Sequence, residues 1–348
     1  MPRWRQSRRF RTPLLCVVAM SASVAANAAF EADQLAVVIN DRDPVSVEIG
    51  RYYAERRKIP AGNVIHVDLP PDKSVIGSGV FNIVFDEVKK RTPASVQGYA
   101  LTWISPYRVD CMSITSAFAM GYAPRYCAKG CRATAPNPYY NSRSRRPFDD
   151  FGMRPTIVIA ARTINDATAL IDRGLRADYS KPTASAYLVT TSDKARNSRA
   201  PSFASVKRRL SEGIRVTLVR SNGIRDKSDI MFYFIGAKHV PHLDSIGFLP
   251  GAIADHLTSA GGRLLGGKQM SALRWLEAGA TGSYGTVVEP CNFPQKFPNP
   301  EIAMEHYLAG DTLIEAYWKS VVWPGQGIFI GEPLARPYAD RGSVIRPV

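Results

Sequence analysis

Three of the chain's five histidines lie in one stretch, FYFIGAKHVPHLDSIGFLPGAIADH, residues 232–256. His239 and His242 follow a short apolar run, and Asp255 and His256 close the stretch. Imidazole acts as a base, an acid or a metal ligand near neutral pH. The spacing therefore indicates a candidate site at the end of a predicted strand.

Three interpretations of this stretch stay open. In the first, His239 and His242 bind a ligand without covalent chemistry. In the second the stretch is hydrolytic, and Ser259 or Thr258 is a nucleophile with a histidine base. A metal held by His239, His242 and Asp244 is another form of this second interpretation. In the third, the histidines and acids satisfy one another and cap a helix. The catalytic candidates are His239, His242, Asp255, His256 and Ser259.

Polar residues also stand at the ends of other predicted strands. WISPYRVDC carries Tyr107 and Arg108, and two Glu-Pro pairs carry Glu289 and Glu332. Ligands of open α/β sheets bind beyond the carboxyl ends of strands, so these four residues are ligand-binding candidates. The alternative is an ordinary polar turn. Neither glycine-rich phosphate motif, G-x-G-x-x-G or G-x-x-x-x-G-K-[ST], occurs, so we predict no nucleotide, and we predict no other cofactor or metal.

Residues 1–28 have the form of a Sec-type signal peptide. A basic start precedes a short apolar run, and Ala26-Asn27-Ala28 predicts cleavage before Ala29. That run is too short to span a bilayer comfortably, and no other segment is a transmembrane candidate. The mature protein is therefore expected to be secreted or periplasmic, without a transmembrane anchor.

The charge of the mature chain is strongly positive. Cleavage removes five of the 45 Lys and Arg residues, which leaves 40 against 30 Asp and Glu, or about +10. Outside the cytoplasm such a charge favours an acidic polysaccharide, lipid headgroups or an acidic envelope protein as partner, and disfavours nucleic acid. NPYYNSRSRR (137–146), which mixes aromatic residues with arginines, would suit an acidic sugar polymer. A basic surface that only keeps the protein in solution is the alternative.

Four cysteines remain after the predicted cleavage: Cys111, Cys127, Cys131 and Cys291. An even number in an exported protein predicts disulfides. The short loop CAKGC favours a Cys127–Cys131 bond, which would leave Cys111 with Cys291, although three pairings are open. Zinc is the competing interpretation, but a second close pair and a neighbouring histidine are missing.

Alternating strand-like and helix-like segments must position these residues. The strand-like segments are 35–41, 63–69, 99–105, 156–162, 186–191, 215–221, 230–236, 280–290 and 327–337. The helix-like segments are 45–58, 81–91, 165–178 (with Asn165 as its cap), 203–213, 251–259, 271–279 and 300–321. This rhythm predicts an α/β fold with mainly parallel sheets flanked by helices.

We expect two packed subdomains after the signal peptide. The first, residues 29–181, contains a Cys-rich loop at 106–152 with little periodicity. The second covers residues 182–338, and residues 339–348 form a tail. The stretch near Lys181-Pro182 is the predicted boundary.

Several phrases resemble the gingipain-like branch of the caspase fold: RPTIVIAARTINDATALIDRGLRADY, IMFYFIGAKH, ALRWLEAGATGSYGTV and GIFIGEPLARP, the last with Glu332 in place of Asp. The resemblance implies that the second subdomain is caspase-like, with His239 or His242 at the position of the catalytic histidine. It also implies a nucleophilic cysteine at LPGAIADHLTS, which has none. Cys291 lies beyond the next strand, so a cysteine peptidase is disfavoured, and peptidase chemistry through Cys291 stays an alternative.

A second resemblance runs almost end to end. VINDRDPVSVEIGRYYAERRKIP, WISPYRVDCMSIT, GATGSYGTVVEPC and IGEPLARP are similar to phrases of an uncharacterised exported family from bacteria that carry exosortase, an envelope protein-sorting system. The resemblance implies an accessory or binding protein of the envelope, linked to exosortase or exopolysaccharide systems. A hydrolase with its site around His239 and His242 is the alternative. The oligomeric state is left open.

Overall fold

The structure, a computed structural model, describes Met1, residues 30–128 and residues 131–341. The predicted signal peptide after Met1, its cleavage site and residues 342–348 of the tail lie outside the described residues. Within these ranges, no helix is long and apolar enough to cross a membrane.

The chain folds into an α/β structure around one large, mostly parallel sheet. The strands are β1 (Leu35–Asn40), β2 (Val64–Val67), β3 (Val75–Ile76), β4 (Gly98–Leu101), β5 (Arg108–Val109), β6 (Met112–Ser113), β7 (Thr156–Val158), β8 (Ser185–Thr190), β9 (Arg215–Arg220), β10 (Lys227–Gly236), β11 (Ile246–Leu257), β12 (Gly282–Thr286) and β13 (Gly327–Gly331). Ten of them form the large sheet in the order β2-β1-β4-β7-β13-β12-β11-β10-β8-β9, and β3-β5-β6 form a small one. The predicted fold class is confirmed.

Strands from both predicted subdomains lie side by side in the large sheet. The last strand, β13, lies between them: it pairs with β7 at Ile330–Val158 and runs antiparallel to β12. After β7, Arg162 Nη2 donates to the carbonyl of Leu264, in the loop that follows β11. The segments that follow β7 and β11 therefore contact each other.

Helices cover the sheet. They are α1 (Pro44–Arg57), α2 (Ser78–Arg91), α3 (Ile114–Met120), α4 (Pro147–Phe151), α5 (Ile164–Ala177), α6 (Phe203–Leu210), α7 (Leu273–Glu277), α8 (Pro300–Leu308) and α9 (Leu313–Lys319). The predicted cap of α5 was misplaced by two residues. Thr163, in the extended conformation that a cap requires, accepts a hydrogen bond from the backbone nitrogen of Asp166, and Asn165 lies inside the helix.

The predicted helix at 251–259 is wrong, because residues 251–257 form the second half of β11. Its side chains do not alternate between apolar and polar, since both faces of the sheet are covered there. Asp255 points to one face, where it pairs with Arg199, and His256 to the other, where it bonds Trp275. Because polar side chains are buried on both faces, the sequence lacks the apolar–polar alternation that indicates a strand.

Two extended segments replace helices on one face of the second half. Residues 221–226 connect β9 to β10, and residues 237–245 connect β10 to β11. They run side by side, with the backbone nitrogen of Asp226 donating to the carbonyl of Ser245. Ile224 and Val240 pack from these segments onto an apolar cluster that includes Tyr233.

The predicted Cys-rich loop at 106–152 contains β5, β6, α3 and α4 and is fastened by two disulfides. The four cysteines of the described ranges all form disulfides as predicted, but the favoured pairing was wrong. Cys111 bonds Cys127 and Cys131 bonds Cys291, with Cα–Cα distances of 5.4 and 5.2 Å. Such distances are ordinary for disulfides. The prediction relied on proximity in sequence, but Cys127 bonds Cys111, which directly precedes β6, rather than the nearby Cys131.

Candidate functional site

The candidate site lies where the strand order reverses. Strand β8 has β9 on one side and β10 on the other, and all three are parallel. The connections leaving β8 and β10 therefore diverge at their carboxyl ends and leave a crevice. Crevices at such switch points are the usual ligand sites of open α/β sheets.

A cavity of about 390 Å³ fills this crevice. Its lining comes from the three segments that follow β8, β9 and β10: Thr191, Ser192, Asp193, Asn222, Ala237, Lys238, His239, Val240 and Pro241. Lys238 and His239 are exposed. His239 makes no hydrogen bond to any residue in the described ranges. The strand therefore delivers one ammonium and one free imidazole to the mouth of the crevice.

The wall of the crevice is held by hydrogen bonds. Thr191 Oγ1 donates to the carbonyl of Gly236 at 2.6 Å, which ties the end of β8 to the end of β10. The backbone nitrogen and Oγ of Ser192 both donate to Asn222 Oδ1 at 2.9 Å. The carbonyl side of Asn222 is thus occupied, and its amide nitrogen is the side available as a donor to a ligand.

Asp193, the only acid of the lining, is paired with an arginine that does not line the cavity. Asp193 Oδ2 lies 2.7 Å from Arg196 Nη1. The guanidinium of Arg196 also reaches the next strand, since its Nε donates to Thr258 Oγ1 at 3.0 Å. With the acid paired, Lys238 sets the sign of the potential, and the crevice favours an anion.

The residues that follow β11 do not form a nucleophile with His239. Thr258 is buried, and its hydroxyl donates to Gln269 Oε1 at 2.8 Å while accepting from Arg196. In the described chain no hydrogen bond joins Ser259 to a histidine. A Ser–His or Thr–His pair, which requires a base within hydrogen-bond reach, is not assembled.

His256 and Asp255 are structural. His256 accepts a hydrogen bond from Trp275 Nε1 at 2.9 Å through Nδ1, and its Nε2 lies 3.0 Å from the carbonyl of Met270. Asp255, on the opposite face, lies 2.6 Å from Arg199 Nη2. Both side chains are 1% exposed, so neither can meet a substrate.

Burial also fixes the charge of His256 and gives a testable pH dependence. Desolvation, with Arg199, His239 and Arg196 nearby, lowers the pKa of His256 to about 4. Since the unfolded chain binds this proton near pH 6.5, stability is full above that pH and falls by about 3 kcal/mol as pH drops to about 4.

Urea denaturation of the wild type and of His256→Gln between pH 7 and pH 4 measures this contribution. The variant keeps every other titrating group, so we expect its unfolding free energy to depend less steeply on pH than that of the wild type. Parallel curves for the two proteins would show that His256 does not stay neutral in the folded state.

His242 lies apart from His239. The segment 237–245 must run back along the sheet, because β10 and β11 are parallel, and it carries His242 towards the start of β10. There Arg225 Nη2 lies 2.8 Å from His242 Nε2. Among the described residues no three His, Cys, Asp or Glu side chains are close enough to hold a metal. The set of His239, His242 and Asp244 is therefore not assembled.

The two predicted carboxylates are on opposite edges of the sheet. Glu289 is exposed beyond the carboxyl end of β12 and accepts a hydrogen bond from the backbone nitrogen of Cys291. Glu332 follows β13, which runs the other way, and it is fully buried against Arg57. The two carboxylates therefore do not share a site, and the sequence could not indicate this because it does not reveal the direction of β13.

Tyr107 and Arg108 also lie away from the crevice. They lead into the small sheet, where Tyr107 is buried and the Nε of Arg108 is enclosed without a hydrogen-bond partner among the described residues. The arginine and tyrosine loop at 137–146 is also largely engaged. Tyr139 is buried, Arg145 pairs with Asp311 and Arg146 with Asp149.

No described cysteine is a free thiol. Cys291, the alternative nucleophile, is bonded to Cys131, so it offers no thiolate to His239. His239 was predicted from the sequence, whereas Lys238, Ser192 and Asn222 were not. Their only signal was their place after predicted strands, which many surface residues share.

Comparisons with known proteins add no relative: the chain matches no family model, no curated protein and no solved structure.

Proposed function

We propose that this chain is an exported accessory or binding protein of the bacterial envelope that works without cysteine-peptidase chemistry. Its ligand is an acidic polysaccharide, whose anionic groups enter the crevice at the carboxyl ends of β8 and β10. The observation that carries the proposal is the pair of exposed cationic or basic groups, Lys238 and His239, above an acid that Arg196 neutralises.

Two further features support this role. The two disulfides suit an oxidising compartment outside the cytoplasm. The position after β11, where a caspase-like peptidase would need its thiol, carries Thr258, whose hydroxyl is committed on both sides. The link to exosortase or exopolysaccharide systems comes from the resemblance of VINDRDPVSVEIGRYYAERRKIP and IGEPLARP to that exported family.

Binding to sodium alginate, a polyuronate, tests the proposal. We expect binding that weakens as sodium chloride rises, because the contact is ionic. The double variant Lys238→Ala/His239→Ala should bind at least roughly tenfold more weakly, which corresponds to about 1.4 kcal/mol. Isothermal titration calorimetry at low and high salt gives both quantities.

The matched control is Lys227→Ala. Lys227 is exposed at the opposite end of the same strand, β10, and does not line the crevice. Its replacement by alanine removes one positive charge, as the single variant Lys238→Ala does. Equal losses of affinity in Lys227→Ala and Lys238→Ala would show that only the overall charge matters, and the crevice assignment would be wrong.

A hydrolase is the second candidate, because the imidazole of His239 has no hydrogen-bond partner in the described residues and Ser259 lies two residues beyond the end of the neighbouring strand, β11. Ester hydrolysis that disappears in both Ser259→Ala and His239→Ala would favour this candidate. The assay is the release of p-nitrophenol from p-nitrophenyl acetate, with Lys227→Ala as the control.

A further inference from the structure

The buried cations of the described chain are not all paired. Arg199 pairs with Asp255, Lys319 with Asp311 and Arg57 with Glu332. Arg154 is only 8% exposed and forms no ion pair with a described carboxylate, and burial lowers its pKa. An unpaired buried charge is costly. Its retention points to a partner that the chain itself does not supply.

The guanidinium of Arg154 is held in a fixed orientation. Its Nε donates to the carbonyl of Val96 at 2.9 Å, and its Cζ lies 3.3 Å from the centroid of the Phe148 ring. The Tyr99 ring lies on another side, with its centroid 5.7 Å from Cζ. Asp149 is the one acid near enough to raise the pKa of Arg154 by its charge. It lies 2.5 Å from Arg146 Nη2 and so is already paired.

Arg154 opens onto a cavity of about 260 Å³. The lining combines aromatic rings with two cations and comes from α2, β4, α3, α4 and the start of β7: Phe85, Lys89, Tyr99, Phe118, Phe148 and Arg154. Lys89 is half exposed, lies over the Phe85 ring at 5.0 Å from its centroid, and forms a solvent-exposed ion pair with Asp86 at 2.7 Å. A planar guanidinium fork matches a carboxylate in two parallel hydrogen bonds, and ring faces attract polarised C–H groups.

The volume limits the ligand. Pockets for drug-sized molecules measure roughly 300–1,000 Å³, so this cavity has room for about one ring with its substituents. We propose that the Arg154 cavity binds the carboxylate of a single hexuronate ring, with the ring against Phe148 and Phe85 and Lys89 as a second cation at the mouth.

This site is separate from the crevice. The two cavities share no lining residue, and β13, β12 and β11 lie between β7 and β10 in the sheet. The inference does not rest on the proposed function, since a monomeric sugar acid would bind here whether or not a polymer occupies the crevice.

Calorimetric titration of the full chain with sodium glucuronate, glucose and sodium acetate tests the proposal. We expect glucuronate to bind, acetate to bind more weakly and glucose not to bind, because both the carboxylate and the ring contribute. Arg154→Lys keeps the charge but loses the planar fork, and it should weaken glucuronate binding at least roughly tenfold.

Two further variants keep the test decisive if one protein misfolds. Arg154→Met should abolish binding, and its urea midpoint should stay near that of the wild type because it removes an unpaired buried charge. Phe148→Leu keeps the guanidinium and should weaken binding several-fold. Lys238→Ala/His239→Ala, which tests the crevice, should bind glucuronate as the wild type does.

Several results would overturn the proposal. They are equal binding of glucose and glucuronate, unchanged binding in Arg154→Met, or loss of binding in the crevice variant instead. Tighter binding of N-acetylphenylalanine than of glucuronate would replace the sugar acid by a peptide carboxyl terminus and so refute the stated ligand class. Failure of glucuronate to bind the wild type while alginate binds would refute this site and leave the proposed function standing.

Discussion

Replacing Arg57 by methionine should lower the free energy of unfolding by about 3–5 kcal/mol, the range for breaking one side of a buried ion pair. Arg57 donates to both carboxylate oxygens of Glu332, at 2.9 Å from Nε and 2.7 Å from Nη2, and its Nη1 bonds Asp178. Without the guanidinium, Glu332 would be left as a fully buried carboxylate. Among the described residues, only Tyr53 and the backbone nitrogen of Leu334 would still donate to it.

The matched control is the neighbouring residue. Arg56 lies 2.9 Å from Asp172, but the two side chains are 45% and 29% exposed. Arg56→Met should therefore destabilise the protein far less than Arg57→Met does, because an exposed ion pair contributes little. Urea denaturation with an unchanged m-value separates stability from changes in the denatured state. Equal losses of unfolding free energy in the two variants would show that the contacts of Arg57 with Glu332 and Asp178 do not stabilise the fold more than an exposed ion pair does.

Removing the long disulfide is the second large effect. Cys131 and Cys291 are 160 residues apart in sequence, whereas Cys111 and Cys127 are 16 apart. A bond that closes a longer loop restricts the unfolded chain more, by about 3 kcal/mol for a 15-residue loop and about 4.7 kcal/mol for a 100-residue loop. Cys131→Ser/Cys291→Ser should therefore lose at least 1 kcal/mol more, roughly, than Cys111→Ser/Cys127→Ser.

Urea denaturation measures these losses, and mass spectrometry of the wild type identifies the bonds. Mass spectrometry of the unreduced tryptic digest should show one crosslinked peptide pair with Cys131 and Cys291, and another with Cys111 and Cys127. A Cys127–Cys131 linkage would contradict the structure. A smaller loss of stability for the long bond than for the short one would show that the entropy of the unfolded chain does not decide the difference.

The sequence predicted the α/β class and most segments, because strands and helices alternate along the chain with clear periods. It could not predict β11, since Asp255 and His256 each find a buried partner on a different face. It could not predict the direction of β13 either, because direction depends on the neighbouring strands. The edge on which Glu332 lies followed from that direction.

The candidate site was predicted only in part. His239 was singled out because histidine is rare in the chain and follows a strand. His256 shared that signal, but only the structure reveals that Trp275 and Met270 occupy both of its nitrogens. Arg154 was missed because nothing in the sequence marks an arginine without a carboxylate partner. Pairing is a property of the packed structure.

The most direct test of the crevice is nuclear magnetic resonance of histidine ring protons during titration with alginate oligosaccharides. We predict that the resonances of His239 shift, and that those of the buried His256 do not. The Lys227→Ala protein should behave as the wild type, and Lys238→Ala should need more ligand for the same shift. An unchanged His239 in the presence of saturating ligand would contradict the account, because the anion would then bind elsewhere.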